Sequence, residues 1–304
     1  MSIKTVEKNV LSSDGVHTLK GIIYLPESAP KGIFHLVHGM TEYIGRYDAL
    51  LSKIAAAGFI ACGFDNLGHG KTAAPQERGF IGEKDGYKFL IDDVKRFGDA
   101  LKTDYPGLPY YLMGHSMGSF IVRLTALKYG ADIDKLIICG TGGPNPAAPA
   151  GLLLCDIIAL FKGKRGYSDF IENMAFGTYN RRFEGAGKYE WLTKDEEIKA
   201  KYAADELCTF RFTLSALHDL VKLNSLCNRA AWFKNMRKDL PILLISGEDD
   251  PVGDYGKGVK TVFEKLIAQN CQAEIKLYKN CRHEIHNDTC KEESAGDIIK
   301  FLTE

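Results

Sequence analysis

Three short stretches of this chain carry residue types that together could perform nucleophilic catalysis. The first is Gly114-His115-Ser116-Met117-Gly118, of the form G-x-S-x-G. A serine hydroxyl is a weak nucleophile near neutral pH, and it needs a base in hydrogen-bond reach and an acid to orient that base. The pentapeptide follows an apolar run, Tyr110-Tyr111-Leu112-Met113, and precedes a helical pattern, Phe120-Ile121-Val122-Arg123-Leu124. A strand, a sharp turn and a helix are the setting in which this pattern means a nucleophile elbow. The turn imposes strained backbone angles on the serine. Glycines two residues to either side remove side chains that would collide there.

In the strand–turn–helix arrangement the partners follow in the order Ser, Asp/Glu, His, each on a loop after a strand. The acid candidates lie in Ser246-Gly247-Glu248-Asp249-Asp250-Pro251-Val252. Asp250 is favoured, because Pro251 stiffens the loop and biases the residue before it to an extended conformation; Asp249 is the runner-up. The base candidates lie in Asn280-Cys281-Arg282-His283-Glu284-Ile285-His286-Asn287. His283 is favoured over His286 because it comes first after the last strand, nearest the sheet edge. An oxyanion needs backbone N–H donors. One would come from Met117, the residue after the nucleophile, and the second from Met40 in Val37-His38-Gly39-Met40, a turn that closes an earlier buried strand. A further Gly-rich turn, Asn66-Leu67-Gly68-His69-Gly70-Lys71, is too short for a phosphate loop. It reads as structural, with His69 a hydrogen-bonded loop residue.

These groups require a scaffold that brings distant loops together. Residues 18–25 and their predecessors look like antiparallel strands. Buried strands at 32–37, 59–64, 110–113, 135–139, 242–246 and 273–278 then alternate with helical patterns at 47–57, 86–105, 257–267 and 295–302. Such alternation implies an α/β fold with a mostly parallel central sheet and helices on both faces. The rhythm breaks after Gly142-Gly143-Pro144-Asn145-Pro146, and helical segments at 152–161, 194–204 and 212–223 follow. The division expected is a core of 1–142 and 241–304, with 143–240 an inserted helical lid over the C-terminal edge of the sheet.

Composition narrows the function classes. The 304 residues hold 39 Lys+Arg against 39 Asp+Glu, which gives no argument for a nucleic-acid partner. No stretch reaches the ~18 apolar residues of a membrane span, and the N-terminus has no long apolar run of a secretory signal. The eight cysteines lie largely in apolar runs and form no C-x-x-C pair. They fit buried free thiols better than a disulfide framework or a zinc site. The expectation is a cytoplasmic protein with no metal and no organic cofactor.

Jointly, His38-Gly39-Met40-Thr41-Glu42 with Arg46-Tyr47, Asp65-Asn66-Leu67-Gly68-His69-Gly70, the Ser116 pentapeptide, Gly247-Glu248-Asp249-Asp250-Pro251-Val252-Gly253 and Arg282-His283-Glu284 resemble the monoacylglycerol lipase and lysophospholipase branch of the α/β-hydrolases, also labelled serine aminopeptidase-like. The resemblance implies the α/β-hydrolase fold, a triad of Ser116, Asp250 and His283, and oxyanion donors at Met40 and Met117. The expected activity is a serine carboxylic-ester hydrolase working through an acyl-enzyme on monoacylglycerol, lysophospholipid or similar medium-chain acyl esters. The almost wholly apolar stretch 150–161 fits a lid that is either packed core or the lining of an acyl pocket. Two other readings use the same fold. A peptidase or amidase would need a lid group for a peptide terminus, and none of Asp169, Glu172, Glu184, Asp195, Glu196, Glu197 and Asp205 takes that role from sequence alone. A non-catalytic binding protein would be expected to lack a triad member, and this chain has a candidate for each.

Overall fold

The computed structural model describes residues 3–183 and 187–304, so Glu184 lies outside the described residues. One eight-stranded sheet organises the chain, in the order β1-β2-β4-β3-β5-β6-β7-β8. The first two strands, β1 (Lys4–Leu11) and β2 (Thr18–Leu25), pair antiparallel, and β2 pairs antiparallel with β4 (Ile60–Phe64). From β4 onward the pairing is parallel through β3 (Ile33–Val37), β5 (Tyr110–His115), β6 (Lys135–Cys139), β7 (Ile242–Gly247) and β8 (Ala273–Tyr278).

The central strands are continuous apolar runs because both of their faces are covered. Alternate residues go to opposite layers, as the two-residue period of a strand requires. Leu112, Leu136, Ile138, Ile242 and Leu244 join one core. Met113, Ile137, Cys139, Leu243 and Ile245 join the other. The first core is closed by α2 (Gly86–Asp104), α3 (Met117–Tyr129) and α9 (Lys257–Ile267). The second is closed by α1 (Asp48–Ala56) and α10 (Lys291–Thr303). Helix α10 starts a turn earlier than its apolar period indicates, because its first turn is Glu292 and Glu293 rather than core residues.

The chain leaves β3 toward β4 on one side and returns to β5 on the other. A crevice opens beyond the C-terminal ends of two strands where the order diverges in this way. The segment after β3 and the Ser116 turn after β5 both emerge there.

Between β6 and β7 lie α4 (Ala148–Lys162), α5 (Asp169–Phe176), α6 (Glu196–Ala204), α7 (Leu214–Cys227) and α8 (Ala230–Asn235). Helices α5 and α8, of eight and six residues, are too short to leave a clear period in the sequence. Helix α4 differs from a helix buried all round. Gly151 and Cys155 are buried, whereas Leu160 and Phe161 on its outer side are 82% and 87% exposed.

Candidate active site

Ser116 has φ 55° and ψ −122°, a strained conformation for a residue with a side chain. The elbow holds because its two glycines let backbone meet backbone. A Cβ on Gly114 would collide with the Gly118 carbonyl, and a Cβ on Gly118 with the Val37 carbonyl. Helix α3 is thereby pressed against the ends of β3 and β5, with Ser116 at the mouth of a cavity.

The acid and the base meet beside it. His283 Nδ1 lies 2.9 Å from Asp250 Oδ2. Asp250 is completely buried, and it also accepts hydrogen bonds from Ser246 Oγ at 3.2 Å and the Val252 N–H at 2.9 Å. With its lone pairs so engaged, the carboxylate has one orientation to offer the imidazole. Asp249 points elsewhere: its side chain is 42% exposed and sits 3.5 Å from Lys194 Nζ. His286 is likewise turned away from the acid, with both ring nitrogens buried and unpartnered and its ring stacked on Tyr47 at 4.3 Å. Burial pushes its pKa down to about 3. Among the described residues Ser116 Oγ makes no side-chain hydrogen bond; such contacts are often long without substrate and close in the Michaelis complex.

Ser116, His283, Met40 and Met117 all line one cavity of about 550 Å³. Met117 opens α3, so its N–H has no acceptor within the helix. Met40 follows Gly39, whose own N–H is held by Glu42 Oε1 at 2.5 Å. His69 bonds the Leu67 carbonyl at 2.9 Å and packs edge-on against Phe210 and Phe212, which line the cavity.

A buried network supports these loops, and its members went unassigned in the sequence. Glu42 Oε1 accepts from Tyr47 Oη at 2.8 Å and lies 3.3 Å from His115 Nδ1, whose Nε2 lies 3.2 Å from the His283 carbonyl. Arg46 bonds Glu284 through two nitrogens, at 2.6 and 2.8 Å, and Glu42 at 3.2 Å. Burial disfavours charge on Glu42, but His115 and Arg46 outweigh it and hold its carboxyl well below the ordinary range. Burial likewise opposes charge on His115, but Glu42 raises its pKa overall. The signal available was the i, i+4 spacing of Glu42 and Arg46 and the place of Glu284 beside His283. Glu42, His115 and His286 offer ligand atoms within 4.8 Å of one another. Glu42 Oε1 is already committed to Gly39, Tyr47 and His115, so Glu42 and His115 read as hydrogen-bond partners, with His286 packed beside them.

The insertion also grips the His283 loop. The Leu192 carbonyl accepts from the Glu284 N–H at 2.8 Å, Arg282 Nη1 donates to the Glu190 carbonyl at 2.5 Å, and the Trp191 ring lies 5.1 Å from the His283 ring. Six cysteines are buried free thiols, as expected. Cys281 and Cys290 are the exception. The turn from β8 into α10 brings their Cα atoms to 6.5 Å, and their sulfurs are bonded across the loop that carries His283. No helix is long and apolar enough to cross a membrane among the described residues.

Comparison with known proteins gives the chain its relatives. Residues 28–290 match the family model described as serine aminopeptidase, S33. A crystal structure of a thermostable carboxyl esterase from Bacillus coagulans, in complex with glycerol, is 32% identical with a TM-score of 0.91, covering 99% of both chains. A monoglyceride lipase homolog of monkeypox virus is 26% identical across 91% of this chain and 90% of its own length. The human monoglyceride lipase is 24% identical across 86% of this chain and 78% of its own.

Proposed function

The chain belongs to the serine aminopeptidase S33 family of α/β-hydrolases and is a serine ester hydrolase, and we propose that it works through an acyl-enzyme on Ser116. The observation that carries this reading is the buried His283–Asp250 contact of 2.9 Å, on a cavity that also receives Ser116 from a strained elbow. His283 takes the Ser116 proton as the hydroxyl attacks an ester carbonyl. Asp250 fixes the imidazole tautomer and stabilises its charged form. The N–H groups of Met40 and Met117 hold the oxyanion, each contributing about 3 kcal/mol to the transition state. His283 then protonates the leaving alcohol and later activates water against the acyl-enzyme.

In this reading residues 143–240 act as a lid on a core of 1–142 and 241–304. Its substrates are monoacylglycerols, lysophospholipids or similar acyl esters, which the named relatives and the apolar residues of the cavity support. The peptidase reading is weaker. An ammonium terminus would require an uncommitted carboxylate, and the cavity acids are all paired: Glu172 with Arg211 at 2.8 Å, Glu284 with Arg46 at 2.6 Å and Glu42 with Arg46 at 3.2 Å.

A p-nitrophenyl ester series run beside a peptide-amide panel, with Ser116→Ala as control, tests this function. Ester turnover that vanishes in Ser116→Ala is the expected result. Wild-type inertness on every ester, or turnover indifferent to the substitution, would refute it.

A further inference from the structure

We propose that the substrate's acyl chain runs past Gly151 of α4, and that the missing side chain there sets how long a chain the enzyme accepts. The inference rests on the ester-hydrolase reading above and adds its chain-length determinant.

Helix α4 is rich in large apolar residues, yet it turns its smallest one to the cavity. Gly151 is buried and lines the space that Ser116 and His283 share, whereas Leu153, Leu160 and Phe161 of the same helix are mostly exposed. Glycine inside a helix is unfavourable, because it loses the most backbone freedom on ordering. Most glycines near the site have a local reason. Gly39, Gly114 and Gly118 stand where a Cβ would strike neighbouring atoms.

Gly151 has no such reason. Its backbone is helical, so no left-handed conformation calls for glycine. A Cβ built there would meet only Met174 Cε at 3.9 Å and Val221 Cγ1 at 4.0 Å, ordinary contact distances. Both neighbours are themselves cavity residues. Any side chain at 151 would therefore fill cavity rather than protein. Ala148 and Cys155, one turn to either side, are also small, buried and on the cavity. The surrounding wall, with Leu217 and Val221 from α7, offers an acyl chain apolar contact. The volume left open by Gly151 is volume for substrate.

The test is the ratio of kcat/KM for dodecanoate over butyrate p-nitrophenyl esters in wild type, Gly151→Ala and Gly151→Leu, below the micelle threshold of each ester. Both replacements are better helix formers than glycine, so thermal melts should show equal or higher stability and keep misfolding out of the result. The ratio should fall modestly for Ala and by about tenfold or more for Leu, the scale at which steric changes in apolar pockets discriminate substrates. Leu153→Ala, on the exposed side of α4, should leave the ratio unchanged. An unchanged ratio in Gly151→Leu, or a loss equal at both chain lengths, overturns the proposal while Ser116-dependent ester turnover stands. A wild type inert on every ester would instead remove the reading beneath it.

Discussion

The C-terminal edge of the sheet and the inserted helices border the same cavity, but they are built by opposite rules. At the edge, polar groups are buried and committed. Asp250 holds three partners, and Glu42 ties Gly39, Tyr47 and His115 together. In the insertion, Phe161 of α4 is 87% and Phe170 of α5 61% exposed, while the wall it gives the cavity is mostly apolar, from Gly151 and Cys155 to Leu217, Val221, Phe210 and Phe212. Transferring a proton requires groups fixed to fractions of an ångström, and the acid that orients the base is held by more bonds than one. Accommodating a chain requires only a volume of the right shape. Substitutions at the edge should thus change the rate on every ester, and substitutions in the insertion should change the ranking among esters.

The largest effect expected is at the edge. Ser116→Ala and His283→Ala should each lower kcat by roughly 10⁶-fold on short and long esters alike, because groups that act as a unit are lost together. His286→Ala, away from Asp250, should cost about tenfold or less through the Tyr47 stack it removes. A His286→Ala variant as inactive as His283→Ala would break the assignment. Steady-state kinetics on the butyrate ester reads all three. Next comes the acid: Asp250→Asn should lower kcat by about 10⁴-fold, since the imidazole tautomer is no longer fixed. Asp249→Asn, at an exposed carboxylate, should change it less than about twofold.

Acid should weaken the sheet and its loops. His35, His69 and His286 all belong to the sheet and its loops, and burial lowers each pKa to about 3. Their folded-state values lie below the unfolded value near 6.5, so the unfolded chain binds more protons between the two. Stability should then fall as pH drops from about 6.5 toward 3, by about 1.4 kcal/mol per pH unit for each histidine. Glu42 and Glu284, also depressed, stabilise the fold above about 4.5 and lose that contribution as pH falls through their folded values. His115 works the other way, with its stabilisation present below 6.5 and lost as pH rises through its raised value. Urea midpoints at pH 7, 5 and 4 measure the net slope, and His286→Phe should flatten it by about one proton. The shift in chain-length ratio at Gly151 is small beside the losses at Ser116, His283 and Asp250, and it leaves the edge untouched.

Local features were legible in the sequence where a local constraint caused them. The G-x-S-x-G glycines mark a backbone contact, and Gly118 indeed packs against the carbonyl of Val37. The five-residue apolar runs marked strands covered on both faces. Pro251 pointed to Asp250, and the structure places that residue, not Asp249, against His283. What escaped depends on contacts between distant residues. Glu42 and Glu284 share Arg46 across 242 positions of chain, and the i, i+4 spacing of Glu42 and Arg46 says nothing of Glu284 as the second partner. Cys281 and Cys290 looked like two more buried thiols, because only the turn from β8 into α10 shows that they meet. The apolar stretch 150–161 told of greasy surroundings but not which side faced them. A helix with large residues outward and glycine inward reverses the usual pattern.

In the proposed mechanism the edge performs the chemistry through a covalent intermediate on one atom, Ser116 Oγ. Rapid acid quench during turnover of a p-nitrophenyl ester, followed by mass spectrometry of the peptide containing Ser116, tests it most directly. An acyl adduct on Ser116 should form and decay at rates consistent with kcat and be absent in Ser116→Ala. Full turnover with the adduct on another residue, or in a Ser116→Ala enzyme, would contradict it.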